Sequence, residues 1–314
     1  MWFFTPSNPT LAFGGFEGEG KKQMYNQLPQ QYCPKSLFIK PSMSFDKVKM
    51  LLKENCFGYP FIVKPDVGMK GIMFRKIESE RQLERYHAHM PADYIVQEFL
   101  DLPLEVSVFY CRKPEEQKGE ITALIQKNLL EIHGDGKSTL SNLIQKHPIA
   151  RDWVNKSHKG LNDQLGRVLN EGERYCLSHV ANLFHGAHFI DLKHLIDDQL
   201  TELFDKISHQ NQFYYGRYDI KCTSVEDMKK GKNFYILEFN GAGSVPNHIY
   251  AGKYSLIGAY KEILTHWKWL YNISQYNHEN GYPRWSLMKG HRFLQNSKKH
   301  FDVLKKLDKE LVLN

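Results

Sequence analysis

The sequence predicts an α+β protein built on antiparallel sheets. Strand-like and helix-like segments are mixed along the 314 residues, and several neighbouring strand candidates are separated only by tight turns. With 41% hydrophobic and 25% charged residues, the composition is that of an ordinary folded protein. The length suits one large domain or two.

The first half of the chain begins with a turn-rich segment and then becomes regular. Glycines are crowded into residues 14–20, and a flexible or turn-forming segment is the simplest interpretation. Ser44 is the expected N-cap of a helix that ends before Gly58. Phe61–Pro65 is typical of a buried strand, and a second strand is expected over Gly71–Ile77 after a glycine-containing hairpin loop.

The remaining elements follow from the same patterns of periodicity and turns. Further strands are expected over Tyr94–Leu100, Glu105–Arg112, Glu120–His133, Phe213–Cys222 and Asn233–Asn240. Helices are expected over Ser79–His89, Asp197–Ser208, Ser255–Tyr271 and, singly or as a pair, Pro283–Leu313. The aromatic side of the Ser255–Tyr271 helix is expected to face the core.

Composition excludes several classes of protein. The formal charge of +7 is spread along the chain, which indicates a mild attraction for anions, phosphate included, and gives only weak support for a nucleic-acid-binding role. The five cysteines form no Cys-x-x-Cys pair, which argues against a disulfide framework and a structural zinc site and favours a reducing compartment. No window approaches ~18 apolar residues, so we expect no membrane span and a cytoplasmic location.

One late pair of strands concentrates the polar chemistry. If the two segments pair, Arg217, Asp219, Glu238 and Asn240 come into one neighbourhood, with Glu238 and Asn240 on the same face because they are two residues apart. Oxygen ligands beside an arginine are what magnesium and a polyphosphate require. A surface salt-bridge network is the alternative explanation for the same residues.

Two glycine-containing segments are weaker signals. Lys64 ends a buried strand and is followed by DVGMKG, which could cover phosphates or simply form a turn. The segment Gly134–Thr139 looks like a phosphate-binding P-loop, but that pattern requires a glycine where Glu131 stands. A β-turn leading into a capped helix explains the second segment.

Taken in order, these motifs resemble a known superfamily. The strand lysine with its glycine loop, then VQEFL with a following glutamate, then RYDIK, then LEFNGAGS resemble the ATP-grasp superfamily, most closely its D-alanine:D-alanine ligase-like branch of carboxylate-amine ligases. The resemblance spans roughly Phe61 to Tyr250. It implies an ATP-grasp fold in which two α+β subdomains with antiparallel sheets grip ATP between them.

The resemblance also implies roles for individual residues. Contacts with the ATP phosphates are implied for Lys64, for Lys21 or Lys22, and for the glycine loop of Gly68, Met69, Lys70 and Gly71. The hinge that meets adenine is implied to be Gln97, Glu98, Phe99 and Leu100. Glu105 is implied to hold the ribose. Arg217 matches the arginine that stabilises the transferred phosphoryl group. The magnesium ligands are Asp219, Glu238 and Asn240, and the substrate side comprises Gly243, Ser244, Asn247 and His248.

The implied division of the chain has four parts. Residues 1–40 are a shortened N-terminal segment, 41–100 a small subdomain, 101–275 a large subdomain with the metal site, and 276–314 a helical extension. The family usually carries an α/β domain ahead of the nucleotide-binding core, and its reduction here leaves D-alanine specificity unsupported. The GDG turn at Gly134 resembles that of other peptide-forming members.

The resemblance implies an ATP-dependent ligase that joins a small-molecule carboxylate to an amine through an acylphosphate. Its cofactors are ATP and two Mg²⁺ ions, for which Mn²⁺ can substitute. The alternatives are a phosphotransferase acting on a hydroxyl and a nucleotide-binding module without chemistry. Neither acid nor amine is identified, and a homodimer is left open.

Overall fold

The computed structural model describes residues 1–157, 164–251 and 254–313. Contacts divide the chain into two compact units, one formed by residues 1–126 with 191–313 and the other by 127–190. The five cysteines are all free thiols. Within the described ranges, no helix combines the length and apolar character needed to cross a membrane.

The elements are numbered in chain order. The strands are β1 Ser36–Ile39, β2 Phe61–Pro65, β3 Arg75–Ile77, β4 Tyr94–Glu98, β5 Leu104–Cys111, β6 Glu120–Asn128, β7 Glu131–His133, β8 Arg174–Cys176, β9 His188–Asp191, β10 Tyr215–Cys222 and β11 Phe234–Asn240. The α-helices are α1 Lys21–Tyr25, α2 Phe45–Glu54, α3 Glu80–His89, α4 Leu140–Lys146, α5 Pro148–Ser157, α6 Asp198–Asn211, α7 Val225–Lys229, α8 His248–Ala251, α9 Leu256–Glu279 and α10 Leu287–Glu310.

The first sheet of the larger unit has the strand order β1-β4-β2-β3 with antiparallel pairing throughout. Val63 and Val96 are register partners in its centre, and both are fully buried. Helices α2, α3 and α10 contribute Val48, Leu83 and Leu304 to the same core. The sequence pattern therefore placed the apolar residues of this sheet correctly, although β1 lies in the segment that was expected to be turn-rich.

The second sheet of the larger unit runs β11-β10-β5-β6 and is also antiparallel. Strand β10 lies between β5 and β11 and is paired along both edges, and its residues Tyr218 and Ile220 are fully buried. Phe204 and Ile207 of α6 pack into this core. The expected α+β class with antiparallel sheets is confirmed.

The glycine-rich N-terminal segment packs backbone to backbone against the turn that follows β11. The amide of Ala242 donates to the carbonyl of Gly14 at 3.0 Å. A Cβ on Gly15 would lie 2.8 Å from the Cα of Gly241, and one on Gly243 would lie 2.0 Å from the carbonyl oxygen of Phe16. These glycines permit a close approach of two chain segments that any side chain would prevent.

Asn8 fixes the same N-terminal segment to the start of β10. It is fully buried. Its side-chain oxygen accepts from the amides of Tyr214 and Tyr215, and its Nδ2 donates to the carbonyls of Gly14 and Tyr215. One side chain thus satisfies backbone groups of both segments, which a buried polar residue must do.

The smaller unit contains the antiparallel pair β7-β8 and the helices α4 and α5. Thr139 caps α4 by accepting from the amide of Asn142, as the sequence predicted. Ile132, Leu140 and Ile144 form its core with other apolar side chains of the unit.

Three sequence expectations are wrong in detail. The second strand of the hairpin begins at Arg75 and not at Gly71, because turns occupy residues 69–74 and Lys70, Gly71 and Met73 have positive φ. The long strand expected over Glu120–His133 is divided into β6 and β7.

The third wrong expectation concerns α9. Its aromatic side does not face the core, since Tyr260, Trp267 and Tyr271 are 60%, 62% and 51% exposed. Helical spacing placed these side chains on one face of the helix correctly. The error arose because periodicity identifies a face but not the element that covers it.

Candidate active site

The candidate site is organised around the pairing of β10 with β11. Arg217 is the register partner of Asn240, and Asp219 is the register partner of Glu238. Residues two apart on a strand lie on the same face, so all four side chains project from one face of the sheet. The neighbourhood that the sequence predicted for these residues is therefore present in the structure.

Arg217 is held by three hydrogen bonds. Its Nε and one terminal nitrogen donate to the two carboxylate oxygens of Asp219 at 3.0 and 3.1 Å, and the other terminal nitrogen donates to Oδ1 of Asn247 at 3.1 Å. Burial lowers the pKa of Arg217, but the adjacent Asp219 carboxylate more than offsets this, so the pKa is raised overall. The guanidinium is therefore a permanent cation held at a fixed position.

The oxygen-bearing side chains suit a hard divalent cation. Asp219 and Glu238 supply carboxylate oxygens from adjacent strands, and Asn240 supplies an amide oxygen beside them. The Nδ2 of Asn240 is buried without a hydrogen-bond partner among the described residues, so the amide orientation is not fixed by the protein. Because Asp219 is engaged by Arg217, an ion bound here would share that carboxylate with the guanidinium.

Lys21 and Lys64, which belong to two other elements, lie near the carboxylate of Glu238. Lys21, the first residue of α1, places Nζ 3.7 Å from Oε2 of Glu238. Its backbone amide donates to the carbonyl of Asp66, immediately after β2. Of the two lysines proposed for this position, Lys21 is buried, whereas Lys22 is exposed and its Nζ lies 5.5 Å from the ring centroid of Phe38.

Lys64 is held by a network of neutral groups. Its Nζ donates to Oε1 of Gln97 at 3.0 Å and lies 3.5 Å from the hydroxyl of Tyr25. Burial and the nearby Lys21 charge lower the pKa of Lys64 to about 7, against the smaller opposing effect of Glu238. Its ammonium would gain from an anion, because no carboxylate contacts it in the described part of the chain.

Tyr25 connects this network to the second sheet and was not identified from the sequence. Its hydroxyl accepts from Nε2 of Gln97 at 2.8 Å and donates to the carbonyl of Leu237 at 2.6 Å. Leu237 directly precedes Glu238 in β11. Tyr25 thereby couples the lysine on β2 to the strand that carries the acidic residues.

The glycine loop after β2 is fixed by the C-terminal helix. His300 of α10 donates to the carbonyl of Val67 at 2.7 Å, and the carboxylate of Asp308 accepts from the amide of Met73 at 2.7 Å. Between these contacts, the turn is closed by the amide of Ile72 donating to the carbonyl of Met69. Both ends of the loop that contains Gly68, Met69, Lys70 and Gly71 are therefore anchored.

The proposed adenine and ribose residues lie at the end of β4 and the start of β5. Oε1 of Glu98 accepts from the amide of Lys35 at 2.7 Å, so this carboxylate holds β1 in place. Lys221 donates to the carbonyl of Leu100 at 3.0 Å and is the register partner of Glu105. Two lysine ammonium groups, those of residues 76 and 221, lie 5.0 and 5.9 Å from the centroid of the Phe99 ring.

A surface pocket of about 470 Å³ opens beside Glu98. Its lining includes Tyr25, Ser36 and Tyr235, but Glu98 is the only residue in it that the sequence assigned to the site. The phosphate-side lysines and the acidic residues lie outside this pocket.

The substrate-side residues follow β11 directly. Gly243 lies against the backbone of Phe16, and the Ser244 hydroxyl donates to the carbonyl of Asn240. Asn247 touches Arg217, as described above. His248 is 3% exposed and starts α8, where its Nε2 lies 2.9 Å from Oε1 of Glu262 on α9.

Glu19 is a further carboxylate at the site that sequence reasoning missed. Burial raises its pKa to about 7, against smaller lowering effects of a backbone hydrogen bond and Lys21. The negative charge of Glu238 adds to the increase. Its position two residues before Lys21 was the only available signal, and the glycines on either side of it obscured that signal.

No family model and no curated protein matches the sequence. Among solved structures, a D-alanine–D-alanine ligase from Bacillus anthracis aligns over 83% of this chain and 69% of its own, at 12% identity and a TM-score of 0.44. A bifunctional glutathione synthetase from Pasteurella multocida aligns over 78% of this chain and 36% of its own, at 14% identity and a TM-score of 0.40.

A third similar structure is the ATP-grasp ligase PsnB complexed with a minimal precursor. It aligns over 79% of this chain and 60% of its own, at 14% identity and a TM-score of 0.42. This chain therefore spans from about one third to two thirds of the length of these proteins. The likeness is one of backbone arrangement.

Proposed function

We propose that the protein is an ATP-dependent ligase of the ATP-grasp type that joins a carboxylate to an amine through an acylphosphate. The observation that carries the proposal is the register of β10 with β11, which puts one arginine and three oxygen-bearing side chains on one face. Lys21 and Lys64 lie beside that face on separate elements. Cations around a carboxylate cluster suit a magnesium-polyphosphate ligand.

Each group has a distinct role in this proposal. Asp219, Glu238 and Asn240 hold magnesium, which neutralises charge on the phosphates when bound. Arg217 stabilises the phosphoryl group in transfer, because its position is fixed by Asp219 and Asn247 before substrate arrives. No side-chain nucleophile is required.

The lysines and the glycine loop position the nucleotide. Lys64 contributes a point charge to the phosphates, with Lys21 beside it. The loop of Gly68, Met69, Lys70 and Gly71 covers the phosphates with backbone amides. Gln97 to Leu100 and Glu105 contact adenine and ribose. We assign residues 41–100 and 101–275 to the two subdomains that hold the nucleotide, with 1–40 and 276–314 flanking them.

The acceptor lies beyond Asn240 in this proposal. Gly243, Ser244, Asn247 and His248 form its side of the site, and the amine attacks the acylphosphate there, releasing phosphate. A cytoplasmic location and a homodimer remain predictions. The acid and the amine are small molecules or peptides with these two groups.

The proposal is tested by trapping the acyl group. Purified protein is incubated with magnesium ATP, hydroxylamine and candidate acids drawn from amino acids, dipeptides and small diacids, and hydroxamate is measured. Candidate acids are first ranked by thermal shift in the presence of a non-hydrolysable ATP analogue, since a bound ligand stabilises the folded state. The correct acid gives hydroxamate, and Asp219→Asn or Glu238→Gln abolishes it.

The matched control is Glu202→Gln, which makes the same chemical change on an exposed position of α6 and should leave turnover unchanged. Retained turnover in both site variants would refute the metal assignment. A stable phosphorylated product without amide or hydroxamate would identify a phosphotransferase. ATP binding without ADP release in any mixture would identify a binding module.

A further inference from the structure

Three side chains that could bind a metal meet away from the proposed magnesium ligands Asp219, Glu238 and Asn240. His248 begins α8, and Glu262 and His266 lie one turn apart on α9. Their donor atoms all lie within 4.8 Å of one another. Residues four apart on a helix project from the same side, so the α9 pair is preformed by the helix itself.

His248 is a buried imidazole with one ring nitrogen that the described residues leave without a partner. Its Nε2 lies 2.9 Å from Oε1 of Glu262, and its Nδ1 has no hydrogen-bond partner among the described residues. A buried polar group without a partner costs ~1–3 kcal/mol. The arrangement is therefore incomplete as a hydrogen-bond network.

His266 is fully buried, and Thr122 contacts the ring nitrogen that faces away from Glu262. Its Nε2 lies 2.9 Å from Oγ1 of Thr122, and its Nδ1 lies 2.9 Å from the carbonyl of Glu262 and 3.5 Å from Oε1 of the same residue. The carbonyl already accepts a helical hydrogen bond, so losing the imidazole leaves it satisfied. Nε2 could then donate to Thr122, the outer contact that metal-binding histidines usually have.

Two imidazoles and one carboxylate form a ligand set for zinc-like ions, with a fourth position left for water or another ligand. Magnesium prefers oxygen ligands throughout, so this set differs in kind from Asp219, Glu238 and Asn240. Burial lowers the pKa of His248 and of His266, and neutral imidazoles are the form that binds metal. Glu262 is part exposed, which gives an ion a route in.

We propose that His248, Glu262 and His266 bind a divalent transition-metal ion of the zinc class through Nε2, Oε1 and Nδ1. The ion fixes α8 to α9 and thereby the position of Asn247, which holds Arg217. The site does not depend on the proposed ligase activity.

Zinc binding is measured on the full chain by equilibrium dialysis with elemental analysis, in excess Mg²⁺ so that the oxygen-ligand site is saturated. Wild-type protein should bind about one Zn²⁺ per chain at this site. Glu262→Gln and His248→Gln should each weaken binding by at least about 10-fold, as loss of a ligand or of its support does. Co²⁺ bound in place of Zn²⁺ should show visible ligand-field absorption that both variants lose.

Two controls separate this site from others. Glu279→Gln makes the same change at an exposed position of α9 and should bind zinc like wild type. Cys176→Ser removes a thiol whose Sγ lies 3.7 Å from Nδ1 of His179 in the smaller unit, and it should also retain the zinc.

The proposal is overturned if wild-type protein binds no zinc, if Glu262→Gln and His248→Gln bind it like wild type, or if Cys176→Ser is the variant that loses it. Urea unfolding confirms that each variant is folded. Should one of the two ligand variants fail to fold, the other decides the result.

Discussion

Arg217 and Asp219 are joined by two hydrogen bonds of 3.0 and 3.1 Å between residues two apart on one strand. Asp219 is 5% exposed, and the Arg217 guanidinium contacts both of its carboxylate oxygens. A buried ion pair that loses one member leaves the other charge uncompensated at a cost of several kcal/mol. Removing only one member of the pair should therefore destabilise the fold.

We expect Arg217→Gln to lower the free energy of unfolding by about 3 kcal/mol, because the Asp219 carboxylate then lacks its guanidinium. The double variant Arg217→Gln with Asp219→Asn should recover most of that loss, since both charges of this pair are then absent. Urea unfolding of the wild type, both single variants and the double variant measures this coupling. Additive single effects would contradict it.

ATP binding should take up a proton through Lys64. With a pKa of about 7, this lysine is only ~10% protonated at pH 8 in the free protein, and phosphate oxygens beside it would favour the charged form. Calorimetry at pH 8 in two buffers of different ionisation enthalpy should show an uptake approaching one proton. Binding should strengthen as the pH falls toward 7.

The control for this effect is Lys64→Arg, whose side chain stays charged at both pH values. The uptake should disappear in that variant even if affinity falls. The same uptake in Lys64→Arg would assign the proton to another group, and we would then withdraw the role of Lys64.

Glu19 should make stability fall as the pH rises. Its pKa is about 7 in the folded protein and 4.5 as the ordinary value, so between these limits the folded state holds the proton that the unfolded state has lost. The free energy of unfolding then decreases through this window, by about 3 kcal/mol in total from this group. Below the lower limit both states are protonated and the group has no effect.

Glu19→Gln removes the titrating group. The free energy of unfolding of the variant, relative to that of the wild type, should therefore increase between pH 5 and pH 8. Urea unfolding at both values gives the difference, and Glu17→Gln is the neighbouring control. A wild-type-to-variant difference that is the same at both pH values would show that Glu19 ionises normally.

The sequence predicted the local parts of the site because they depend on local patterns. Alternation in the two late strands placed Arg217 and Asp219 on one face, and the turn-bounded segment ending at Asn240 indicated the partner strand. Helix starts were equally local, as with Ser44 accepting from the amide of Lys47 at 3.4 Å. Short-range spacing is enough when the partners are neighbours in the chain.

The parts that the sequence did not predict depend on contacts between distant residues. Gly15 meets Gly241, and Asn8 reaches the start of β10 across more than 200 positions. His248 was proposed for the substrate side, but its relation to Glu262 and His266 depends on how α8 and α9 pack. No periodicity within either segment encodes such pairings.

The close packing of the N-terminal segment on the site gives a stability prediction. A Cβ on Gly243 would lie 2.0 Å from the carbonyl oxygen of Phe16, and backbone atoms on both sides cannot move independently. Gly243→Ala should therefore lower the free energy of unfolding by ~1–3 kcal/mol, the range that is typical of overpacking. Thermal and urea unfolding measure the loss.

Gly58→Ala is the matched control, because its Cβ would have no atom within 4 Å and its φ is not positive. That variant should be neutral or gain up to ~1 kcal/mol from a stiffer unfolded chain. Equal stability of the two variants would mean that the N-terminal segment shifts at little cost.

The last prediction concerns the contacts that Asp308 of α10 makes where the glycine loop ends. Asp308 accepts from the amide of Met73 at 2.7 Å and from Arg75 at 2.9 Å, so its carboxylate fixes the loop where β3 begins. Asp308→Ala should cost about 2 kcal/mol, because charge-assisted hydrogen bonds are lost and the partly buried amide lacks an acceptor. If the loop covers the phosphates, the dissociation constant of ATP should also rise, by roughly 10-fold, since a displaced loop must be ordered on binding.

Asp302→Ala separates this effect from a general weakening of α10, because Asp302 pairs only with Lys305 of the same helix at 3.5 Å within the described residues. It should leave both the unfolding free energy and ATP affinity close to the wild-type values. A loss of stability in Asp308→Ala with unchanged ATP affinity would place the phosphates away from this loop. Gln97 to Leu100 and Lys64 would then have to hold the nucleotide without its help.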